Sequence, residues 1–146
     1  MNYTLRVLLP LLFVQPSLAQ APAWTAYGES AGDSFGFALC SAGDWDSDGV
    51  GDLLVGSPGA DGAGPETGRI TLLSGATSAK LFEVDGLSSG DRAGRSVASL
   101  GDINGDGVGD FAYGAPTRSV SGPQAGGAFL ISGADGSVIF SWEGTT

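Results

Sequence analysis

The stretch GDWDSDGVGD, residues 43–52, contains four aspartates interspersed with glycines, and GDINGDGVGD, residues 101–110, repeats the pattern further along the chain. Oxygen-bearing side chains stand at positions 1, 3, 5 and 9 of each loop, counted from its first aspartate. So many like charges in a short loop repel one another unless a cation neutralises them. The predicted cation ligands are Asp44, Asp46, Asp48 and Asp52 in the first loop and Asp102, Asn104, Asp106 and Asp110 in the second.

This set of oxygen ligands favours calcium. Ca²⁺ takes about six to eight oxygens from carboxylates, amides, backbone carbonyls and water, whereas Mg²⁺ seldom uses an all-protein cage. Glycine at position 6, Gly49 and Gly107, predicts a sharp turn with positive φ, so that the carbonyls of Val50 and Val108 at position 7 are the natural backbone ligands. We therefore predict two structural Ca²⁺ sites. The first loop has one more carboxylate than the second and is expected to bind calcium more tightly.

Two other interpretations of these loops compete with a calcium site of this kind. An EF-hand begins in the same way but closes with glutamate at position 12 between two helices. Position 12 here is Val55 or Tyr113, inside a predicted strand, which excludes the EF-hand. A metal-free Asp-Gly hairpin turn is common, but it does not explain the oxygen-bearing residues at positions 1, 3 and 9 or their recurrence.

The periodicity extends well beyond the two loops. Segment 33–88 aligns with segment 91–146 without a gap, and 21 of the 56 aligned pairs are identical. A second shift by the same period aligns Trp24 with Phe82 and Phe140, so residues 20–32 are predicted to be the outer strand of a preceding unit. Self-similarity at a fixed period of this length is typical of repeat architectures.

Each unit contains four short segments that are rich in Val, Ile, Leu and Phe and bounded by turn-forming residues, and no segment has sustained helical spacing. The predicted fold is all-β, an incomplete propeller with about two four-stranded antiparallel blades plus one strand of a third. The predicted strands are 35–43, 52–58, 68–75 and 80–86 in the first blade (residues 33–90) and 93–101, 110–116, 126–133 and 138–144 in the second (residues 91–146).

In the first unit Phe35-Gly36 is followed by Gly56-Ser57-Pro58, and in the second Gly94 is followed by Gly114-Ala115-Pro116, with an aspartate loop between them. These motifs resemble the FG-GAP repeats of integrin alpha-chain propellers and their bacterial relatives. Ser57 and Ala93 depart from the pattern, replacing the alanine of GAP and the phenylalanine of FG. The resemblance implies an adhesion or recognition module that binds an extracellular protein or glycan through the loops opposite the calcium loops, residues 59–67, 87–92 and 117–125.

Residues 1–19 are predicted to be a secretory signal peptide. A basic start with Arg6 precedes the apolar run 7–14, and small residues at Ser17 and Ala19 suit cleavage after Ala19. The apolar run is far shorter than the ~20 residues that a membrane-spanning helix needs. We therefore expect a secreted protein, extracellular or periplasmic, without membrane insertion.

Charge and residue types argue against several function classes. The chain has 16 Asp and Glu against 6 Lys and Arg, whereas nucleic acid requires a basic surface. It has no histidine, the commonest general base, so none of its serines has a histidine partner for nucleophilic catalysis. We predict that the protein is not an enzyme; the loose candidates for catalysis by Asp, Arg or Tyr chemistry are Arg69, Arg95, Arg118 and Tyr113.

Two alternative functions remain open at this point: the propeller part of a carbohydrate-active lyase or hydrolase, and a non-functional truncated gene product. Two units are fewer than the four blades of the smallest propellers, so we expect either a piece of a longer propeller or closure by self-association. Cys40, the only cysteine, is predicted to be a small buried strand residue. Trp45 in the first loop is expected to pack against the neighbouring hairpin.

Overall fold

A computed structural model describes residues 24–120 and 122–145, which form two four-stranded antiparallel β-sheets. The strands of each sheet are hydrogen-bonded in chain order, as in propeller blades, and the all-β prediction is confirmed. This part of the chain has no helix, and hence none that could cross a membrane. Blade 1 consists of β1 (Ala38–Gly43), β2 (Asp52–Ser57), β3 (Arg69–Leu73) and β4 (Lys80–Asp85); blade 2 consists of β5 (Ser96–Gly101), β6 (Asp110–Ala115), β7 (Gly127–Ile131) and β8 (Val138–Glu143).

The first strand of each blade begins three residues later than predicted. Gly36 and Gly94, the glycines of the FG motifs, have φ of 85° and 83°, a conformation outside the β region. The motif therefore forms a turn before the strand. Gly94 in turn lies so close to Gly56 of blade 1 that a Cβ on Gly56 would overlap the carbonyl of Gly94. Glycine at both positions allows the two blades to approach.

The hydrophobic core lies between the blades, because alternate residues of a strand point to opposite faces of its sheet. On blade 1 the contacting face, which we call face A, presents Leu54, Ile70, Leu72, Phe82 and Val84, with Cys40 half-buried rather than fully buried at its edge. The opposite face of each blade is called face B. In blade 2, face B is the one that points toward blade 1. It presents Phe111, Tyr113, Phe129 and Ile131, all nearly inaccessible.

Aromatic rings dominate this interface between the blades. Phe82 of blade 1 meets Phe111 of blade 2 edge to face, with ring centroids 5.8 Å apart. Tyr113 and Phe129 stack at 5.1 Å within blade 2. Burying one such ring contributes about 1.5–3 kcal/mol, so the two blades stabilise one another.

Residues 24–32 form no strand, although an outer strand was predicted for residues 20–32. Residues 1–23, which include the predicted signal peptide, lie outside the described residues. The assignment of residues 24–32 to a preceding blade stays a prediction. The segment instead lies against face B of blade 1. The Trp24 indole N–H donates to the Gly75 carbonyl over 2.7 Å, and residues 25–27 border a cavity of about 250 Å³ that Thr71 and Leu73 also line.

Candidate metal centre

Each aspartate loop connects the first two strands of its blade and leaves the sheet at a register shift near the end of β1 or β5. Gly49 and Gly107 have φ of 88° and 89°, so the positive φ predicted at position 6 is confirmed. Ser47 and Gly105 at position 4 are also left-handed, with φ of 61° and 79°. These paired left-handed residues curl each loop tightly enough to gather alternate side chains on its inner side.

The first loop brings three predicted ligands together. Carboxylate oxygens of Asp44, Asp46 and Asp48 all lie within 4.8 Å of one another, and the three side chains are exposed. Backbone N–H groups orient them: Asp48 and Gly49 donate to the two oxygens of Asp44, each over 3.0 Å, and Val50 donates to Asp48 over 2.8 Å. Desolvation raises the pKa of Asp46, and the charges of its aspartate neighbours add to that effect.

The second loop has the same hydrogen bonds around its own first three ligands. Asp106 and Gly107 donate to the two oxygens of Asp102 over 3.1 and 2.9 Å, and Val108 donates to Asp106 over 2.8 Å. The amide of Asn104 replaces one carboxylate, and its Nδ2 donates to Asp106 over 2.7 Å. The second loop therefore carries one negative charge fewer within the same backbone framework.

The position 9 aspartates have a role that the loop pattern did not predict. Asp52 and Asp110 are buried, 2% and 0% exposed, and Asp52 is not part of the exposed carboxylate group. Asp52 accepts hydrogen bonds from Trp45 N at 2.6 Å and Gly75 N at 3.0 Å. It therefore connects its aspartate loop to the turn between the third and fourth strands of the same blade.

Asp110 makes the corresponding connection in blade 2. It accepts from Ile103 N at 2.9 Å, Asn104 N at 3.3 Å and Gly133 N at 3.1 Å. A carboxylate offers about four lone-pair sites, so these bonds leave capacity for a cation, and ligation by Asp52 and Asp110 remains a prediction. The same holds for the backbone carbonyls of Val50 and Val108.

The donor chemistry of the loops fits a hard cation. Three exposed carboxylates in one loop, and two carboxylates with an amide oxygen in the other, supply the oxygen ligands that Ca²⁺ prefers. The backbone N–H groups already hold these oxygens in a fixed arrangement, which reduces the ordering that a cation would have to impose.

Trp45 follows the first ligand of loop 1 and fills the space between the blades at the loop end of the molecule. Its ring lies 6.3 Å from that of Phe82, and it is close enough to Gly133 that a Cβ there would overlap it. Packing against the neighbouring hairpin, as expected, is confirmed. Because the indole is wedged beside blade 2, the first loop supports the blade interface as well as its own hairpin.

Three of the four residues considered for catalysis are engaged in structural contacts. Arg69 bonds Asp85 over 2.6 Å and Glu29 over 2.7 Å, and Arg118, nearly buried, pairs with Asp91 over 2.6 Å and Glu143 over 3.0 Å. Desolvation would lower the pKa of Arg118, but its bonds to the two carboxylates outweigh it and raise the pKa. Tyr113 is buried against Phe129, and burial raises the pKa of its phenol to about 12.

The fourth of these residues, Arg95, lies at the end of the blades opposite the aspartate loops. Its exposed guanidinium stacks over the ring of Phe37 at 5.2 Å, and that ring is 54% exposed. Both border a shallow cavity of about 200 Å³ together with Arg92, which pairs with Glu66 over 2.6 Å. This aromatic and basic patch is exposed in a chain with few cations.

The order of strands, the glycine contacts between blades and the aspartate hairpins agree with comparisons to known proteins. A profile of the FG-GAP repeat matches residues 35–73 and 93–131, more than half of the chain. The chain belongs to the FG-GAP repeat family. The two matched segments begin at the FG turns and end with β3 and β7, so this FG-GAP chain contains two consecutive repeats.

The FG-GAP chain is also similar to integrin alpha chains. It is 38% identical to Integrin alpha-PS2 of Drosophila melanogaster over 71% of this chain and 8% of that protein. It is 38% identical to Integrin alpha-5 of Xenopus laevis over 76% of this chain and 11% of that protein. It is 36% identical to Integrin alpha-4 of the same species over 81% of this chain and 11% of that protein. The chain thus spans about a tenth of the length of these curated relatives.

Proposed function

We propose that this FG-GAP chain is a secreted, non-enzymatic recognition module whose two aspartate hairpins bind structural Ca²⁺. The observation that carries the proposal is the convergence of three exposed carboxylates within 4.8 Å in the first loop. The second loop has matching backbone hydrogen bonds to Asp102. The similarity to integrin alpha chains supports the same class of function.

Bound calcium would supply positive charge at the point where each loop concentrates carboxylates. Neutralising the carboxylates would order the loop, and Asp52 and Asp110 would extend this ordering because they connect the loops to Gly75 and Gly133 at the next turn of the blade. Ordering the loop therefore also fixes the end of the β3–β4 and β7–β8 hairpins. Ca²⁺ that binds only the folded state would raise the unfolding temperature by mass action.

The experiment that tests the metal proposal is thermal unfolding of the purified protein in millimolar Ca²⁺ and in chelator. We expect a higher unfolding temperature in Ca²⁺, with the difference reduced when Asp44→Ala or Asp102→Ala removes one site. A matched control is Asp61→Ala, which removes an exposed aspartate outside both loops. Equal unfolding temperatures in Ca²⁺ and chelator would reject the calcium sites.

Recognition is proposed at the end opposite the aspartate loops, where Phe37, Arg92 and Arg95 form the aromatic and basic patch. A stacked aromatic–arginine pair offers a large contact area, a cation and hydrogen-bond donors at low entropic cost, features that are enriched at binding hot spots. Arg92 is already paired with Glu66, so the positive charge of the patch comes from Arg95, and it favours an acidic extracellular protein or glycan as the partner.

Binding to panels of extracellular proteins and of glycans tests the recognition proposal. We expect Phe37→Ala and Arg95→Ala each to weaken the interactions found at least tenfold, which corresponds to about 1.4 kcal/mol. The control is Val138→Ala, which truncates an exposed apolar side chain at the opposite end of the blades. Binding that is insensitive to Phe37 and Arg95 but lost in Val138→Ala would place recognition elsewhere.

A further inference from the structure

We infer that the outer sheet face of blade 2 is a docking surface for blade 1 of a second copy of this chain, joined head to tail. The inference starts from the contact between the two blades within one chain. There, face A of blade 1 packs on face B of blade 2, and the residues of both faces are largely buried.

The strand registers identify the surface of blade 2 that corresponds to face A. In blade 1, Leu54 pairs with Leu72 and Leu72 with Phe82. The equivalent positions of the next repeat are paired in blade 2, Ala112 with Leu130 and Leu130 with Phe140. Trp142, aligned with Val84, pairs with Ala128 in the adjacent row. The face A of blade 2 is therefore apolar, as in blade 1.

This surface is exposed, in contrast to its counterpart in blade 1. Phe140 and Trp142 are 52% and 57% exposed, and their rings lie 4.5 Å apart as one continuous apolar area. Phe82, the counterpart of Phe140, is packed against the core. Large exposed aromatic patches on soluble proteins mark interaction sites, and here the interface within the chain shows what covers an equivalent face.

Blade 1 offers the complementary surface on its face B. Val55, Thr71 and Leu73 occupy the positions of Tyr113, Phe129 and Ile131. They are buried in this structure, where residues 25–27 and this face border the same cavity of about 250 Å³, so the surface becomes available only when that segment moves away. Face A of one copy therefore meets face B of another by repeating the contact already present between blades 1 and 2. Since the two surfaces differ, the contact is heterologous, and copies add to both ends until a ring closes; two copies carry the four blades of the smallest propellers.

The segment 24–32 competes for part of this site. Trp24 aligns with Phe140 of β8, and the segment lies on face B of blade 1, where β8 of the docking copy would lie. Glu29 holds it there through ion pairs with Arg69 over 2.7 Å and Lys80 over 2.8 Å. Docking a second copy requires displacement of this segment, so weakening the Glu29 contacts favours association.

Multi-angle light scattering of the purified full chain across ~1–200 μM, a range that covers typical weak interfaces, tests the inference. We expect a mass that rises with concentration to a closed dimer or beyond it, a Trp142→Glu variant that stays monomeric, and a Glu29→Gln variant that associates at several-fold lower concentration. Val120→Glu is the matched control, because it adds the same charge at a side chain that is 60% exposed and off the sheet face; it should associate like the parent.

Three results would overturn the inference. A parent chain that is monomeric throughout would mean that the face is covered by something other than a second copy, such as a further blade. A dimer whose association is unchanged in Glu29→Gln would indicate face A pairing with face A, whereas a dimer that Glu29→Gln strengthens is a ring closed by two head-to-tail contacts. Association that is unchanged in Trp142→Glu would place the contact on another surface. Circular dichroism of each variant checks that it is folded.

Discussion

The strongest prediction concerns Asp110, whose carboxylate is fully buried and joins the second aspartate loop to the β7–β8 turn. It accepts three backbone hydrogen bonds, from Ile103, Asn104 and Gly133. Replacing it by alanine leaves three N–H groups without their acceptor, and that of Gly133 lies in a buried site. Because this function is independent of metal, the loss is expected to appear even in chelator.

The size of the effect follows from the number of bonds. A hydrogen bond to a charged acceptor contributes about 1.5–3 kcal/mol. The desolvation cost of the carboxylate disappears with it, so we expect Asp110→Ala to lower the free energy of unfolding by about 3–5 kcal/mol, less than the simple sum. Asp110→Asn keeps one acceptor oxygen, which can serve two of the three N–H groups, and should lower it by about 1–3 kcal/mol.

The assay is urea unfolding in chelator, followed by circular dichroism, with Asp106→Ala as the control. Asp106 belongs to the same loop but is exposed, and we expect its loss to cost less than about 1 kcal/mol in chelator while reducing the stabilisation by Ca²⁺. The reasoning fails if Asp110→Ala unfolds at the same urea concentration as the parent. It also fails if the asparagine and alanine variants lose equal stability.

Three further predictions concern the blade interface, the two metal sites and the amino-terminal segment. Phe111→Ala empties the core between the blades and should lower the free energy of unfolding by about 3–5 kcal/mol in urea unfolding; a change below about 1 kcal/mol would argue that the blades are independent. In calorimetric titration, Ca²⁺ should bind the site left in Asp102→Ala at least about fivefold more tightly than the site left in Asp44→Ala, because the first loop has one more carboxylate; equal affinities would contradict this. The hydrogen bond and charge of Lys80, together with Arg69, lower the pKa of Glu29. The contact of Glu29 therefore stabilises the docking of segment 24–32 at neutral pH, and this stabilisation is lost as the pH falls from the ordinary value of 4.5 through the lowered pKa. The indole N–H resonance of Trp24 should shift over that range in the parent but already be shifted at neutral pH in Glu29→Gln.

The sequence by itself determined the local features of this protein. The repeat period, the strand segments and the two aspartate hairpins depend on residue types at fixed short spacings, and short spacing alone restricts the backbone conformations available. The positive φ of Gly49 and Gly107 was predictable for this reason. The late start of β1 could also have been predicted, since Gly36 favours a turn. The alternating apolar residues around Gly36 instead suggested a longer strand.

The tertiary structure alone decided which faces meet and what the loops are fastened to. Asp110 contacts Gly133, and Trp24 contacts Gly75, each from a distant part of the chain, and neither pairing has a signal in the spacing of nearby residues. Phe140 is exposed and Phe82 is partly buried, although the two residues are identical in the repeat, because another blade lies against Phe82 only. A repeated sequence specifies identical surfaces, and only packing determines which of them is covered, because burial is a property of neighbours distant along the chain.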